Sequence, residues 1–190
     1  MTKLILVRHG EPDYSFLNQA NMGNSKPEWA FLSEQGVEQS RLAASDPNLL
    51  DADILLSSPY AKTLQTAAII SDEIKLPVQG EVGLHDWVSN KTYASYRAMT
   101  KDYKKAMYEF VNKKNYENQE YESLQNVQLR VLQVLRQYLL YQKVIAVTHG
   151  GVIFSLTQEK IPYGGAIELE YEEDPKNKGK ILIKQKEDLY

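Results

Sequence analysis

The chain has 190 residues, 43% of them hydrophobic and 25% charged, with a net charge of −3 and no cysteine. That length suits one α/β domain over residues 1–190, while the acidic balance argues against general nucleic-acid binding and the lack of cysteine excludes disulfide and thiolate chemistry. No apolar run is long enough to span a bilayer, and the N-terminus has neither an apolar leader core nor a cleavage site, so the expectation is a soluble, cytoplasmic protein.

Leu4-Ile5-Leu6-Val7 predicts a short strand buried on both faces, ending in Arg8-His9-Gly10-Glu11. In open α/β sheets, ligands bind beyond the carboxyl ends of the strands, so charged groups there are site candidates. Residues 12–32 read as irregular, with Tyr14, Phe16, Trp29 and Phe31 among prolines, asparagines and a glycine. A loop of that length suits a wall or lid over a site, or a surface loop pinned by its aromatics. Ser33 is read as the cap of a helix reaching about residue 45, with Val37 and Leu42 facing the sheet. Asp53–Ser57 is a second strand.

Ser58 is then read as an N-cap and Pro59 as the first helical residue, with Tyr60, Leu64, Ala67, Ala68 and Ile74 forming the apolar face. A short strand from Pro77 towards Glu81 leads into Leu84-His85-Asp86-Trp87, a turn or loop. Residues 90–114 predict a helix in which lysines alternate with tyrosines, and residues 87–116 are the candidate for substrate selection. Glu122 and Ser123 open a further helix with Leu124, Val127, Val131, Leu135 and Tyr138 at helical spacing. Val144–Val147 repeats the grammar of the first strand and ends in Thr148-His149-Gly150-Gly151. The tail alternates as a hairpin, with Ile167, Leu169 and Tyr171 on one face and Ile181 and Ile183 on the returning strand. The expected fold is a three-layer α/β sandwich: a mostly parallel sheet, helices on both faces, and an antiparallel C-terminal hairpin.

Two of the three histidines stand at equivalent strand ends. If those strands are parallel neighbours, His9 and His149 share one crevice. Arg8 offers a planar fork of donors to a phosphate or carboxylate. His9 can act as nucleophile, general base or metal ligand; the adjacent arginine is expected to lower its pKa and to repel a divalent cation, which counts against a metal site built from His9, Glu11 and His149. Gly150 and the other glycines after the histidines let a ligand approach the backbone. Lys62 lies in the first turn of its helix, where the macrodipole disfavours a cation unless an anion binds there; read alone, that helix suits a lysine reaching into solvent equally well. Asp86 is a proton donor if burial raises its pKa, and otherwise a turn aspartate.

Taken in order, Arg8-His9-Gly10-Glu11, Leu32-Ser33-Glu34-Gln35-Gly36 with Gln39, Ser57-Ser58-Pro59 with Gln65-Thr66-Ala67, Glu122-Ser123 with Arg130, and Thr148-His149-Gly150-Gly151 resemble the histidine phosphatase (phosphoglycerate mutase-like) superfamily. The resemblance runs from residue 3 to about residue 155 and implies the phosphoglycerate mutase-like fold. It implies a phosphomonoesterase in which His9 is phosphorylated, Arg8, Lys62, His149 and Gly150 hold the phosphoryl group, and Asp86 protonates the leaving oxygen, with Glu11 and Glu81 as fallback donors. No metal or cofactor is implied, and the partner is a small phosphorylated substrate of a monomer or homodimer. The family's second pocket arginine falls at Lys62 and its usual glutamate at Asp86. These departures leave room for a slow enzyme or a non-catalytic phosphate-binding relative, and a mutase is the alternative from the same fold.

Overall fold

In strand β1 (Thr2–Arg8), Leu4, Ile5, Leu6 and Val7 are all at most 2% exposed. Such a run needs apolar cover on both faces. The computed structural model, which describes residues 1–19, 27–88, 96–112 and 121–185, provides it. In chain order there follow β2 (Pro12–Asp13), α1 (Ser15–Gln19), β3 (Phe31–Leu32), α2 (Glu34–Ala44), β4 (Ile54–Ser57), α3 (Ala61–Ile74) and β5 (Val78–Gly80). The second half holds α4 (Tyr96–Val111), α5 (Leu124–Arg136), β6 (Lys143–Thr148), α6 (Gly150–Thr157), β7 (Ala166–Glu173) and β8 (Ile181–Gln185). The main sheet has the order β5-β4-β6-β1-β7-β8. Its pairs are parallel from β5 to β1, and β7 and β8 add an antiparallel edge.

The pleat divides each central strand between two cores. Leu4, Leu6, Leu56, Val144 and Ala146 join Val127, Val131 and Leu135 of α5 and Val152 and Ile153 of α6 on one face. Ile5, Val7, Leu55, Ile145 and Val147 meet Ala43 and Ala44 of α2 and Ala67 and Ile70 of α3 on the other. This is the expected mostly parallel sheet between helical layers. No helix among the described residues is long and apolar enough to cross a membrane.

Ser33 caps α2 by accepting the Gly36 N–H at 3.0 Å, and Ser123 caps α5 by accepting that of Asn126 at 3.2 Å. Other local expectations are corrected. Leu42 is exposed, and α2 instead buries Gly36, Ser40, Ala43 and Ala44, small residues that let it lie close to its neighbours. The helix after Ser58 begins only at Ala61, so its phase moves: Lys62, Thr63, Thr66, Ala67 and Ile70 are buried, while Leu64 and Ala68 face outward. Ser58 is not its cap. Within 12–32, β2 and β3 pair as a small ribbon through Pro12↔Leu32 and Asp13↔Phe31, beside α1 and a 3₁₀ turn at Pro27–Trp29. Parts of the expected 90–114 helix before residue 96 and after residue 112 lie outside the described residues.

Candidate active site

Because Arg8 lies beside Thr148 in the parallel β1–β6 pair, the next residue of each strand leaves the sheet at the same edge. Those residues are His9 and His149, and their rings meet edge-on with centroids 5.1 Å apart. His9 Nδ1 lies 2.7 Å from the carbonyl oxygen of Gly10. A carbonyl only accepts, so this contact places the proton on Nδ1 and leaves the Nε2 lone pair available. Burial pushes the His9 pKa well below 6.5, and His149 and Lys62 push it the same way. The pKa is lowered as expected, but burial comes first among the causes and Arg8 is not among the largest. The Arg8 guanidinium turns towards the Ile161 carbonyl, which Nη1 reaches at 2.7 Å, and lies 3.9 Å from the Tyr163 ring centroid.

The turn after His9 is fixed from behind. The Gly10 N–H donates to Thr66 Oγ1 at 3.1 Å and the Glu11 N–H to Gln39 Oε1 at 2.8 Å. A Cβ on Gly10 would stand 2.2 Å from the Gly36 carbonyl oxygen, so α2 packs directly on this turn. On the other side, the backbone of Arg8 is clasped by residues 164–165, with Arg8 donating to Gly165 O at 2.9 Å and Gly164 donating to Arg8 O at 3.1 Å.

His149 is fully buried at the N-cap of α6. Its Nε2 lies 2.8 Å from Ser58 Oγ and its Nδ1 lies 3.5 Å from Asp86 Oδ2. Burial lowers its pKa well below 6.5, with Lys62 and His85 adding to the effect. Gly150 leaves room for Arg8, since a Cβ there would sit 3.3 Å from the guanidinium carbon.

Lys62 is 2% exposed. Among the described residues its ammonium donates to the Pro27 carbonyl alone, at 3.4 Å, with the Tyr60 and Tyr14 rings 5.6 and 5.9 Å away. Burial lowers its pKa, against the pull of Asp86 and Glu28. A buried ammonium without a carboxylate in contact is costly unless an anion arrives.

Asp86 follows a 3₁₀ turn at Val82–Leu84, and its Oδ1 accepts the Trp87 N–H at 2.9 Å. Arg130 fixes the loop from α5 by donating to Gly83 O at 2.6 Å and Asp86 O at 3.2 Å. Thr148 Oγ1, at the end of β6, holds the Leu84 carbonyl at 2.9 Å.

A cavity of about 640 Å³ is lined among others by Arg8, His9, Lys62, Asp86 and Gly150, whereas His149 is fully buried and is not part of its lining. Glu11 and Glu81 do not line it: Glu11 lies 3.3 Å from Ser33 Oγ, and Glu81 accepts from the Tyr138 hydroxyl. The residues that sequence reasoning missed are Ser58 as a partner of His149, Glu28 near Lys62, and Tyr163 beneath Arg8. Nothing local in the sequence announces Tyr163, which reaches the site through the turn preceding β7.

An imidazole held neutral, a guanidinium and a buried ammonium around one cavity form an arrangement suited to oxyanion chemistry. The chain belongs to the histidine phosphatase superfamily (branch 1), whose family model matches residues 4–167. It is 28% identical over 159 residues to an uncharacterized phosphatase, PhoE, of Bacillus subtilis (strain 168), covering 84% of this chain and 77% of that one. A shorter match to phosphoserine phosphatase 1 of Hydrogenobacter thermophilus is 36% identical over 78 residues, covering 41% of this chain and 35% of that one. The fold is similar to that of mycobacterial glucosyl-3-phosphoglycerate phosphatase, with a TM-score of 0.73, 17% identity and 96% of both chains covered.

Proposed function

We propose that this protein is a phosphomonoesterase that hydrolyses a small phosphorylated molecule through a phosphohistidine at His9. The observation that carries the reading is the His9 Nδ1–Gly10 carbonyl contact, which presents Nε2 as an unprotonated nucleophile. His9 Nε2 attacks phosphorus in line as the bond to the ester oxygen breaks. Arg8, Lys62 and His149 stabilise the charge on the phosphoryl oxygens, and the Gly150 backbone lies against them. Asp86 delivers a proton to the departing oxygen. Water then attacks phosphorus, Asp86 accepts its proton, and phosphate leaves with His9 restored. The fixed cations supply the charge stabilisation, so activity is expected to survive chelators.

Brief incubation with a labelled ester should give an acid-labile, base-stable adduct on the wild type and none on His9→Ala. Wild-type turnover by His9→Ala would overturn the mechanism. Steady release of inorganic phosphate separates hydrolysis from mutase chemistry, which returns an isomerised ester, and from a binder, which shows saturation without turnover.

A further inference from the structure

The phosphoryl end of the cavity is cationic, but the wall beyond Asp86 has a different chemistry. If Asp86 protonates the leaving oxygen, the alcohol part of the substrate starts at that carboxylate. A Cβ on Gly151 would stand 3.4 Å from the Tyr103 ring and 3.5 Å from Asp86 Oδ1, so ring and carboxylate border the same glycine. Trp87, next in the chain, packs against Tyr103 with centroids 5.4 Å apart at an interplanar angle of 59°. Met107 follows Tyr103 one turn along α4, and Phe154 of α6 lines the same cavity.

We propose that the alcohol of the preferred phosphomonoester carries an aromatic or flat apolar group, received against Trp87, Tyr103 and Met107. This rests on the reading of Asp86 as proton donor. The cavity, about 640 Å³, falls within the roughly 300–1,000 Å³ of sites that enclose drug-sized ligands and is far larger than a phosphoryl group requires. Most of the aromatic surface has no free polar end. The Trp87 indole N–H donates to the Glu122 carbonyl at 2.5 Å, while the Tyr103 hydroxyl stays a neutral hydrogen-bonding group beside Gly151. The slot therefore offers ring faces, a thioether and one hydroxyl to its occupant. A polyol would leave most of its hydroxyls unpaired against these faces, whereas a ring gains contact area and edge-to-face packing. Lys104 and Lys160 also line the cavity but are exposed, and Glu28 lies on the Lys62 side.

The test compares 2-phenylethyl phosphate with ethyl phosphate, both esters of primary alcohols, and with O-phosphoserine as a polar alcohol. The expected kcat/KM preference for the phenylethyl ester over ethyl is roughly ten- to hundred-fold. Tyr103→Ala and Met107→Ala should each shrink that ratio, and Tyr103→Phe, which keeps the ring, should retain it. Calorimetric binding of 2-phenylethylphosphonate against ethylphosphonate should show the same order without needing turnover. A ratio near one, a preference for O-phosphoserine, or a ratio unmoved by both alanine variants overturns the slot. Selective phosphonate binding with no turnover of any ester leaves the slot standing and removes the phosphatase reading instead.

Discussion

Arg130 and Glu122 form a two-point ion pair, Nε to Oε1 at 2.8 Å and Nη2 to Oε2 at 3.1 Å, and both partners also grip the loop that carries Asp86. Arg130 takes the carbonyls of Gly83 and Asp86, while the Glu122 backbone receives the Trp87 indole and donates to Val88 O at 2.9 Å. The pair is largely shielded, with side chains 16% and 15% exposed, so its geometry is little screened by solvent. It holds the proposed acid at a fixed distance from His149.

Replacing the acid should therefore expose a leaving-group effect. Asp86→Asn should slow an alkyl phosphate by roughly 10²–10⁴-fold and p-nitrophenyl phosphate far less, because a good phenolate leaves without protonation. A uniform loss across both esters would mark Asp86 as structural.

Arg130→Lys keeps the charge but cannot serve two carbonyls and a carboxylate at once. It should show the same leaving-group dependence in weaker form, roughly ten-fold on the alkyl ester. Equal slowing of both esters, or loss of thermal stability alone, would mean the pair supports the fold and does not position Asp86.

The turn after His9 makes a separate prediction about stability. A Cβ on Gly36 would stand 2.1 Å from the Glu11 carbonyl oxygen, a backbone atom that cannot rotate away. Gly36→Ala should cost about 1–3 kcal/mol in urea unfolding, despite the alanine's better helix propensity. A neutral or stabilising result would show that α2 can shift away from the turn.

What the sequence disclosed and what it hid follow from the range of the interactions. The two His-Gly strand ends are period and composition over a few residues, and they located His9 and His149 on one edge. The resemblance also picked out Gln39, Thr66, Glu122 and Arg130: Gln39 and Thr66 accept from the turn after His9, Arg130 donates to the loop before Trp87, and Glu122 bonds to Arg130, Trp87 and Val88. Helix phase was less legible. Pro59 suits a first helical position, yet Ser58 Oγ is engaged with His149, Pro59 and Tyr60 form a bend, and α3 begins at Ala61, with its buried stripe on Lys62 and Thr66. Tyr163 and Glu28 come to the site through tertiary packing that no local pattern encodes.

The two buried imidazoles set a pH dependence. Both have folded pKa values well below 6.5, caused first by burial. Above about pH 6.5 both folded and unfolded rings are neutral and no penalty exists. As pH falls below that value the unfolded chain takes up protons first, and stability is lost progressively until the folded rings protonate. The urea midpoint should fall between pH 7 and pH 5, and His9→Gln should flatten the slope. The acid limb of kcat/KM should likewise lie below pH 6.5 if His9 is the nucleophile. A His9→Gln slope equal to that of the wild type would show that His9 titrates normally in the folded protein.

Lys62 sets the most exposed prediction, because stability and function should move in opposite directions there. Among the described residues the buried ammonium has one weak carbonyl contact, so the free protein bears its desolvation with little return. Lys62→Met has a similar shape without the charge, and it should raise the thermal midpoint of the free protein. The same change should remove a charge-assisted contact to the phosphoryl oxygens, worth roughly 1.5–3 kcal/mol, or about ten- to hundred-fold in turnover. Inorganic phosphate should stabilise the wild type against heat, and that gain should shrink in Lys62→Met. Lys62→Arg restores the bidentate fork and should raise turnover, provided the longer side chain fits beside Tyr14 and Tyr60. Melting curves with and without phosphate, together with kinetics on one ester, measure all three proteins. If Lys62→Met matches the parent in turnover and in its response to phosphate, the ammonium does not face the substrate, and the pocket relies on Arg8 and His149.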